Sequence, residues 1–158
     1  MNHTLTVLQI LIDKKLTIAF AESMTGGLLT GELVKIPNAS LVLKESLVVY
    51  SVEAKNKYLH IDFDENKPYK IVSNEVSEQM ASGLMELTHA DICVSITGNA
   101  GPGYDKGTDE LEGYITIKDQ KRFKTYQVKF NQNSTRIENI NQAIIFTYEK
   151  LEEYLKNK

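Results

Sequence analysis

Ser23 stands in a sequence context that suits a nucleophile. It closely follows a short apolar segment, residues 16–21, and precedes the glycine pair Gly26 and Gly27. A serine in a tight turn between a strand and a helix exposes its hydroxyl, and unpaired amides at the start of the helix favour an anion or an oxyanion. In the alternative interpretation Ser23 or Thr25 only caps the helix, and this segment taken alone favours that simpler role. The glycine spacing is not that of a Walker A loop.

Lys55 is the candidate for the base that such a serine requires. A serine hydroxyl is a weak nucleophile until a neighbouring group accepts its proton. The lysine ends Y-S-V-E-A-K, residues 50–55, just after another apolar run. Burial or nearby cations would have to lower its pKa from about 10.4 before it could act as a base, and the alternative is an ordinary solvated lysine. Tyr50 could relay a proton or orient Ser23, and a tyrosine of the core is an equally good interpretation.

A third polar segment, T-G-N-A-G-P-G at residues 97–103, also follows an apolar run. Thr97 offers a hydroxyl, and Gly98 and Gly101 shape a loop that could surround a substrate with its backbone. A plain connecting loop is the alternative, because glycine-rich loops are weakly specific. Arg136 lies where the last helix is predicted to begin. Its guanidinium could bind a phosphate through two hydrogen bonds, or it could be an ordinary surface arginine.

Other site chemistries find little support in the sequence. The three histidines are scattered, so no His/Asp pair suggests a serine-protease triad, and no Cys/His cluster has zinc-site spacing. The acidic residues Asp62, Asp64 and Glu65 lie in a polar, irregular segment and are predicted to form a solvated turn. The single cysteine, Cys93, excludes an intramolecular disulfide and is predicted to be a small buried apolar residue. We therefore predict no metal site.

The spacing of apolar residues predicts the elements that position these side chains. The predicted helices are residues 4–14, 27–35, 52–59, 74–89 and 134–156. The predicted strands are residues 16–21, 46–51, 91–97, 113–118 and 123–130, the last two as an antiparallel pair. Ser73 or Asn74 is expected to cap the fourth helix, and Ser134 or Thr135 the fifth.

This order of elements predicts an α/β fold. Strands that alternate with helices, with an antiparallel pair near the C-terminal end, indicate a three-layer α/β/α domain with a mixed, mostly parallel sheet. We find no repeat, linker or low-complexity segment, so residues 1–158 are expected to form a single domain. In open α/β sheets, sites gather at the carboxyl ends of the strands. The three polar segments follow predicted strands, and we expect them to converge there.

The overall composition excludes several classes of function. Hydrophobic residues make up 42% and charged residues 25% of the 158 residues, which is ordinary for a globular domain. The net charge of -3 and the dispersed lysines give no basic field for nucleic acid. No apolar stretch approaches the ~18 residues of a membrane span, and no signal-type segment begins the chain. We therefore expect a cytoplasmic protein that contacts neither membrane nor nucleic acid.

Six motifs in order resemble the CinA-type (competence-damage-inducible) amidase family. The family pattern is E-S-x-T-G-G, Y-S-N-x-x-K, V-S at a helix start, S/T-G-I-A-G-P, P-V-G before a strand, and an arginine opening the last helix. In this sequence they stand at residues 22–27, 50–55, 72–73, 97–102, 111–113 and 136. No single motif is decisive, but together they cover most of the chain. The chain resembles the stand-alone form of the family, without the larger N-terminal domain of some members.

The resemblance implies an amidohydrolase that releases ammonia from nicotinamide mononucleotide and leaves nicotinate mononucleotide. Family members are thought to use a serine nucleophile and a lysine base, which map onto Ser23 and Lys55, with Tyr50 and Thr97 as supporting hydroxyls. Arg136 falls at the family's arginine, with the substrate phosphate as its expected partner. Residues implied in substrate binding are Thr25, Gly26, Gly27, Gly98, Gly101 and Arg136. No cofactor is implied, and self-association is expected.

Three departures from the pattern bear on this expectation. Val52 stands where the family usually has Asn, Asn99 replaces an apolar residue, and Leu111-Glu112 replaces Pro-Val. The substitution at Glu112 places a carboxylate near a loop that is expected to face an anionic substrate. The alternative function is therefore a catalytically weak or inactive nucleotide-binding or interaction module of the same fold.

Overall fold

A five-stranded sheet forms the centre of the molecule. The computed structural model describes residues 2–63, 70–104 and 110–158. Its strands are β1 (Ile18–Glu22), β2 (Leu43–Val48), β3 (Ile92–Gly98), β4 (Glu112–Lys118) and β5 (Phe123–Lys129), in the order β2-β1-β3-β4-β5. β1 pairs in parallel with β2 and β3, whereas β4 pairs antiparallel with β3 and β5. Only β4 therefore runs against the other four strands.

Helices cover both faces of this sheet. They are α1 (His3–Lys14), α2 (Leu28–Val34), α3 (Val52–Leu59), α4 (Asn74–Thr88) and α5 (Arg136–Lys156), with a short 3-10 turn at Ala39–Leu41. Successive side chains of a strand point to opposite faces. Ile18 and Phe20 of β1 accordingly belong to a core with α1, α2 and α5. Ala19 and Ala21 face a second core with α3 and α4. The predicted three-layer α/β/α fold with a mixed sheet is confirmed.

The prediction for the second strand was wrong by three residues. The apolar run suggested residues 46–51, but β2 is Leu43–Val48 and includes the charged residues Lys44 and Glu45. β2 lies at the edge of the sheet with β1 as its neighbour, and its outward positions are exposed, so charged side chains are tolerated there. The buried Val49 and the exposed Tyr50 leave the strand and form the loop before α3.

Side-chain caps decide where two helices begin. Ser73 caps α4, because its hydroxyl accepts a hydrogen bond from the amide of Val76 at 3.3 Å. Thr135 caps α5 in a capping box, in which Thr135 and Glu138 each accept a bond from the other's backbone. The structure thus selects Ser73 over Asn74 and Thr135 over Ser134, and it sets Arg136 as the first residue of α5.

Candidate active site

The three polar segments meet at the carboxyl ends of β1, β2 and β3. In the sheet, Glu22 pairs with Val48 on one side and Ile96 on the other. The amide of Ser23 donates to the carbonyl of Ile96 at 3.1 Å, and the amide of Val49 donates to the carbonyl of Glu22 at 2.8 Å. These backbone bonds align the residues that follow each strand. The expected convergence is therefore present.

Ser23 and Lys55 are in direct contact. Lys55 Nζ lies 2.8 Å from Ser23 Oγ, although 32 positions separate the two residues in sequence. Ser23 follows β1 and retains 6% of its surface, whereas Lys55 is in the first turns of α3 and is 1% exposed. Lys55 is thus a buried lysine held against a serine hydroxyl, and not a solvated surface residue.

Two backbone carbonyls fix the direction of the Lys55 amine. Nζ donates to the carbonyl oxygen of Val49 at 2.9 Å and to that of Tyr50 at 3.0 Å. A neutral amine has two N–H groups and one lone pair. When these N–H groups are held by the two carbonyls, the remaining tetrahedral direction, the lone pair, faces Ser23 Oγ. The loop after β2 therefore holds Lys55 Nζ against Ser23 Oγ.

Burial lowers the pKa of Lys55 from 10.5 to about 8, because the charged ammonium loses its hydration. At pH 7, roughly a tenth of the molecules then have the amine neutral, against well under a thousandth for a lysine with its ordinary pKa. The site consequently contains a serine and, in contact with it, a lysine whose pKa is lowered by burial.

Tyr50 contributes to this pair through its carbonyl, and its hydroxyl lies elsewhere. The Tyr50 side chain is 58% exposed, so the interpretation as a core tyrosine is wrong. Its hydroxyl accepts a hydrogen bond from Arg136 NH2 at 3.1 Å. Arg136 NH1 donates to the carbonyl oxygen of Gly101. Arg136 therefore links α5 to the loops that follow β2 and β3, at the edge of the site.

Thr97 and Gly98 pack beneath the nucleophile. Thr97 is 1% exposed, and its hydroxyl donates to the carbonyl of Ile71 at 3.2 Å, toward the start of α4. A Cβ on Gly98 would overlap Met24 Sδ and would lie 2.8 Å from the carbonyl oxygen of Glu112. Gly98 therefore permits close packing between the loop after β1 and strand β3.

Most amides after Ser23 are already paired within the protein. The amides of Gly26 and Leu28 donate to the carbonyls of Ser23 and Thr25. Gly26 and Gly27 have φ angles of 56° and 98°, a region that favours glycine. Gly27 N and the Thr25 hydroxyl both donate to the carboxylate of Glu22.

Among the described residues, the amides of Met24 and Thr25 have no such partner. They are therefore the amides of this turn that no other group of the described chain occupies. The family resemblance implies oxyanion donors either around Gly26 and Gly27 or in the loop of residues 98–101, and the amides of Gly26 and Gly27 are already paired.

Two residues outside the expected site shape it. The buried carboxylate of Glu22 accepts hydrogen bonds from the turn after Ser23. The sequence did not predict this role; the only signal was the position of Glu22 as the first residue of the E-S-x-T-G-G motif. Asn99 accepts from the amide of Gly101 at 3.0 Å and donates to the carbonyl of Gly103 at 2.8 Å. Asn99, which replaces an apolar residue of the family pattern, therefore stabilises the loop after β3.

The described ranges contain no group of three or more His, Cys, Asp or Glu side chains that could hold a metal ion. Asp64 and Glu65 of the acidic segment lie outside the described residues. Cys93 is fully buried, as predicted, and burial raises the pKa of its thiol to about 11. No helix in the described parts of the chain has the length and apolar character needed to span a membrane.

The family model named CinA C-terminal domain matches residues 2–155. The chain belongs to this family. Its fold agrees with solved CinA superfamily structures. A protein from Klebsiella pneumoniae has a TM-score of 0.92 at 26% identity, with 99% of this chain and 97% of that chain covered. A competence or damage-inducible protein from Enterobacter asburiae has a TM-score of 0.90 at 28% identity, with 97% and 96% covered.

Curated CinA relatives are longer than the matched region. The CinA-like protein of Thermotoga maritima is 36% identical over 152 residues, which cover 96% of this chain and 37% of that protein. A putative competence-damage inducible protein of Alkaliphilus oremlandii is 49% identical over 96 residues, 61% of this chain and 23% of that protein. The chain thus spans between about a quarter and two fifths of these CinA relatives.

Proposed function

We propose that this chain is an amidohydrolase that converts nicotinamide mononucleotide to nicotinate mononucleotide and ammonia. The observation that supports this most strongly is the 2.8 Å contact between Lys55 Nζ and Ser23 Oγ, with both side chains buried. The contact provides an activated serine, and the resemblance to CinA-type amidases supplies the amide substrate.

In the proposed reaction, Ser23 Oγ attacks the carboxamide carbon while Lys55 Nζ accepts the hydroxyl proton. The tetrahedral intermediate then collapses: the carbon–nitrogen bond breaks, and Lys55 returns the proton to the departing nitrogen, which leaves as ammonia. Water attacks the acyl-enzyme, and Lys55 takes a proton from the water. The carboxylate product leaves, and Ser23 regains its proton. Serine, lysine and water balance the reaction, so no cofactor is required.

The amides of Met24 and Thr25 are the proposed oxyanion donors. The negative charge of the tetrahedral intermediate develops on the former carbonyl oxygen, and N–H groups already in place stabilise it without reorganisation. In many serine hydrolases one such donor is the amide of the residue after the nucleophile. Met24 occupies that position here.

Arg136 is the proposed phosphate ligand. Its contacts to Gly101 and Tyr50 hold the guanidinium at the edge of the site, and a guanidinium has more N–H groups than these two bonds use. Gly101 and Tyr50 therefore serve the substrate indirectly, by orienting Arg136. Thr97 and Gly98 serve it by fixing the packing below the nucleophile. We also propose that the chain self-associates, as the family resemblance implies.

The test is turnover of nicotinamide mononucleotide by purified protein, followed as released ammonia and as nicotinate mononucleotide. Ser23→Ala and Lys55→Met should each lower kcat by about 10³-fold or more, because each removes one half of the nucleophile–base pair. Lys57→Met is the matched control, since Lys57 is an exposed lysine on the same helix. It should retain wild-type turnover.

Saturable binding of the nucleotide by folded wild-type protein without ammonia release would refute the amidase and favour the binding module. Turnover that survives in Ser23→Ala would refute Ser23 as the nucleophile while leaving the reaction itself standing.

A further inference from the structure

Glu22 is a buried carboxylate that has no role in the reaction proposed above. It is the last residue of β1, and its side chain is 0% exposed. An ionised carboxylate without water needs other hydrogen-bond donors to offset its lost hydration. Within the described chain these donors are uncharged backbone amides and threonine hydroxyls, and all of them follow Ser23 in sequence.

The two carboxylate oxygens bind different parts of the chain. Oε1 accepts bonds from the Thr25 hydroxyl at 2.6 Å, from the amide of Gly27 at 3.2 Å and from the amide of Leu29 at 2.8 Å. Oε2 accepts bonds from the amide and the hydroxyl of Thr30, at 2.9 Å and 2.6 Å. Oε1 therefore closes the turn that contains Ser23, whereas Oε2 binds only helix α2.

This arrangement makes Glu22 the internal anion of the turn. Its carboxylate accepts hydrogen bonds from the amides of Gly27, Leu29 and Thr30 at the start of α2. Ser23 lies between the end of β1 and the turn that the Glu22 side chain closes. Its backbone is therefore held on both sides. Ser23 Oγ must be held to within a fraction of an ångström for its proton to pass to Lys55.

We propose that Glu22 is a positioning residue for the nucleophile, acting through its Oε1 contacts with the turn of residues 23–27. The proposal rests on the amidohydrolase function above. Glu22 touches no reacting atom; by closing the turn that begins at Ser23, it keeps Ser23 Oγ within reach of Lys55 Nζ.

A matched pair of variants separates positioning from simple stabilisation. Thr25→Val and Thr30→Val each replace a hydroxyl that lies 2.6 Å from the same carboxylate with a methyl group of similar shape. Thr25 belongs to the turn, and Thr30 to the helix, where its hydroxyl also lies 2.9 Å from Ser46 Oγ. Both variants should lower the Tm to a similar extent, because each leaves the buried carboxylate one donor short.

Activity should separate the two variants. Thr25→Val should lower kcat by about 10- to 100-fold with KM unchanged, as expected when a reacting group is misplaced by about an ångström. Thr30→Val should retain kcat to within about twofold. The same order is expected for the rate at which a fluorophosphonate labels Ser23, a readout that does not depend on the amide substrate.

Equal effects of the two variants on labelling would overturn the positioning role and leave only a stabilising one. A raised KM with unchanged kcat in Thr25→Val would also overturn it, because Thr25 would then act by binding substrate. Wild-type protein that is labelled but releases no ammonia would refute the proposed substrate alone, and the labelling comparison would still decide the role of Glu22. Wild-type protein that takes up no label would overturn the activated serine and this inference with it.

Glu22→Leu provides a second check. Leucine has neither carboxylate oxygen, so the Thr25 hydroxyl and the amide of Gly27 lose their acceptor. Where thermal unfolding shows a folded protein, Ser23 labelling should be slowed at least as much as in Thr25→Val. Labelling at the wild-type rate in folded Glu22→Leu would overturn the proposal.

Discussion

The buried amine of Lys55 should make the free energy of unfolding depend on pH. The perturbation is Lys55→Met, which replaces the amine with an apolar side chain of similar length. In wild-type protein the folded state disfavours the ammonium, since burial lowers the pKa of Lys55 to about 8. Once unfolded, the same lysine has an ordinary pKa near 10.5.

The sign follows from counting protons in the two states. Below pH 8 the lysine is protonated in both states, and the unfavourable burial of the ammonium is fully present. Between pH 8 and pH 10.5 the unfolded chain binds a proton that the folded chain does not, so stability rises with pH. A pKa lowered from 10.5 to about 8 corresponds to a gain of about 3 kcal/mol across that interval.

The assay is urea unfolding of wild-type and Lys55→Met protein at pH 7, 8, 9 and 10. The free energy of unfolding of the wild type, minus that of the variant, should rise by about 1 kcal/mol per pH unit above pH 8 and approach 3 kcal/mol. Other buried groups, such as Cys93 with its raised pKa, titrate equally in both proteins and cancel in the difference. Lys57→Met serves as control, and its difference from wild type should not change with pH.

A difference between wild type and Lys55→Met that stays flat from pH 7 to pH 10 would refute this reasoning. It would mean that the folded protein holds the ammonium as well as water does. Lys55 would then remain protonated at neutral pH, and the proposed acceptance of the Ser23 proton would lose its physical basis.

Two further predictions follow from the loops around the nucleophile. Arg136→Ala should raise KM by about tenfold or more with a much smaller change in kcat, if the guanidinium binds the phosphate equally in the ground and transition states. Arg122 lies between β4 and β5 and contacts the C-terminal end of α5, so Arg122→Ala should leave KM unchanged. An unchanged KM in Arg136→Ala would remove Arg136 from the site. Gly98→Ala should lower the free energy of unfolding by about 1–3 kcal/mol in urea, because the new Cβ would press on backbone atoms of Glu112 at 2.8 Å. Gly31→Ala, where a Cβ meets nothing within 4 Å, should be neutral or stabilising, and equal losses in both variants would contradict the packing argument.

Local sequence patterns were sufficient for most of the secondary structure. Buried strands such as β3 appear as continuous apolar runs, and helices such as α4 show apolar residues at helical spacing, because burial of one face imposes that periodicity. The strand β2 shows where this breaks down. At the edge of a sheet the charged pair Lys44 and Glu45 can be part of a strand, and the register with β1, not local hydrophobicity, decides where β2 ends.

The sequence predicted that Ser23 and Lys55 lie near each other only because each follows a predicted strand. That expectation needs only one rule, that the ends of parallel strands meet at one edge of the sheet. Their separation of 2.8 Å, by contrast, depends on contacts between residues that are distant in sequence. The burial of Lys55 and the two carbonyls that aim its amine arise from the packing of α3 against the sheet, and no local pattern encodes a pKa near 8.

The sequence by itself determined the fold class, the family and the pair of residues that could react, because each depends on residue type and order along the chain. Tertiary structure alone decided what those residues touch. It placed the Tyr50 hydroxyl on Arg136, turned the Thr25 hydroxyl toward Glu22, and left the amides of Met24 and Thr25 without partners in the described chain. Hydrogen bonds and desolvation act over a few ångströms in space, so their effects appear only when distant segments have been brought together.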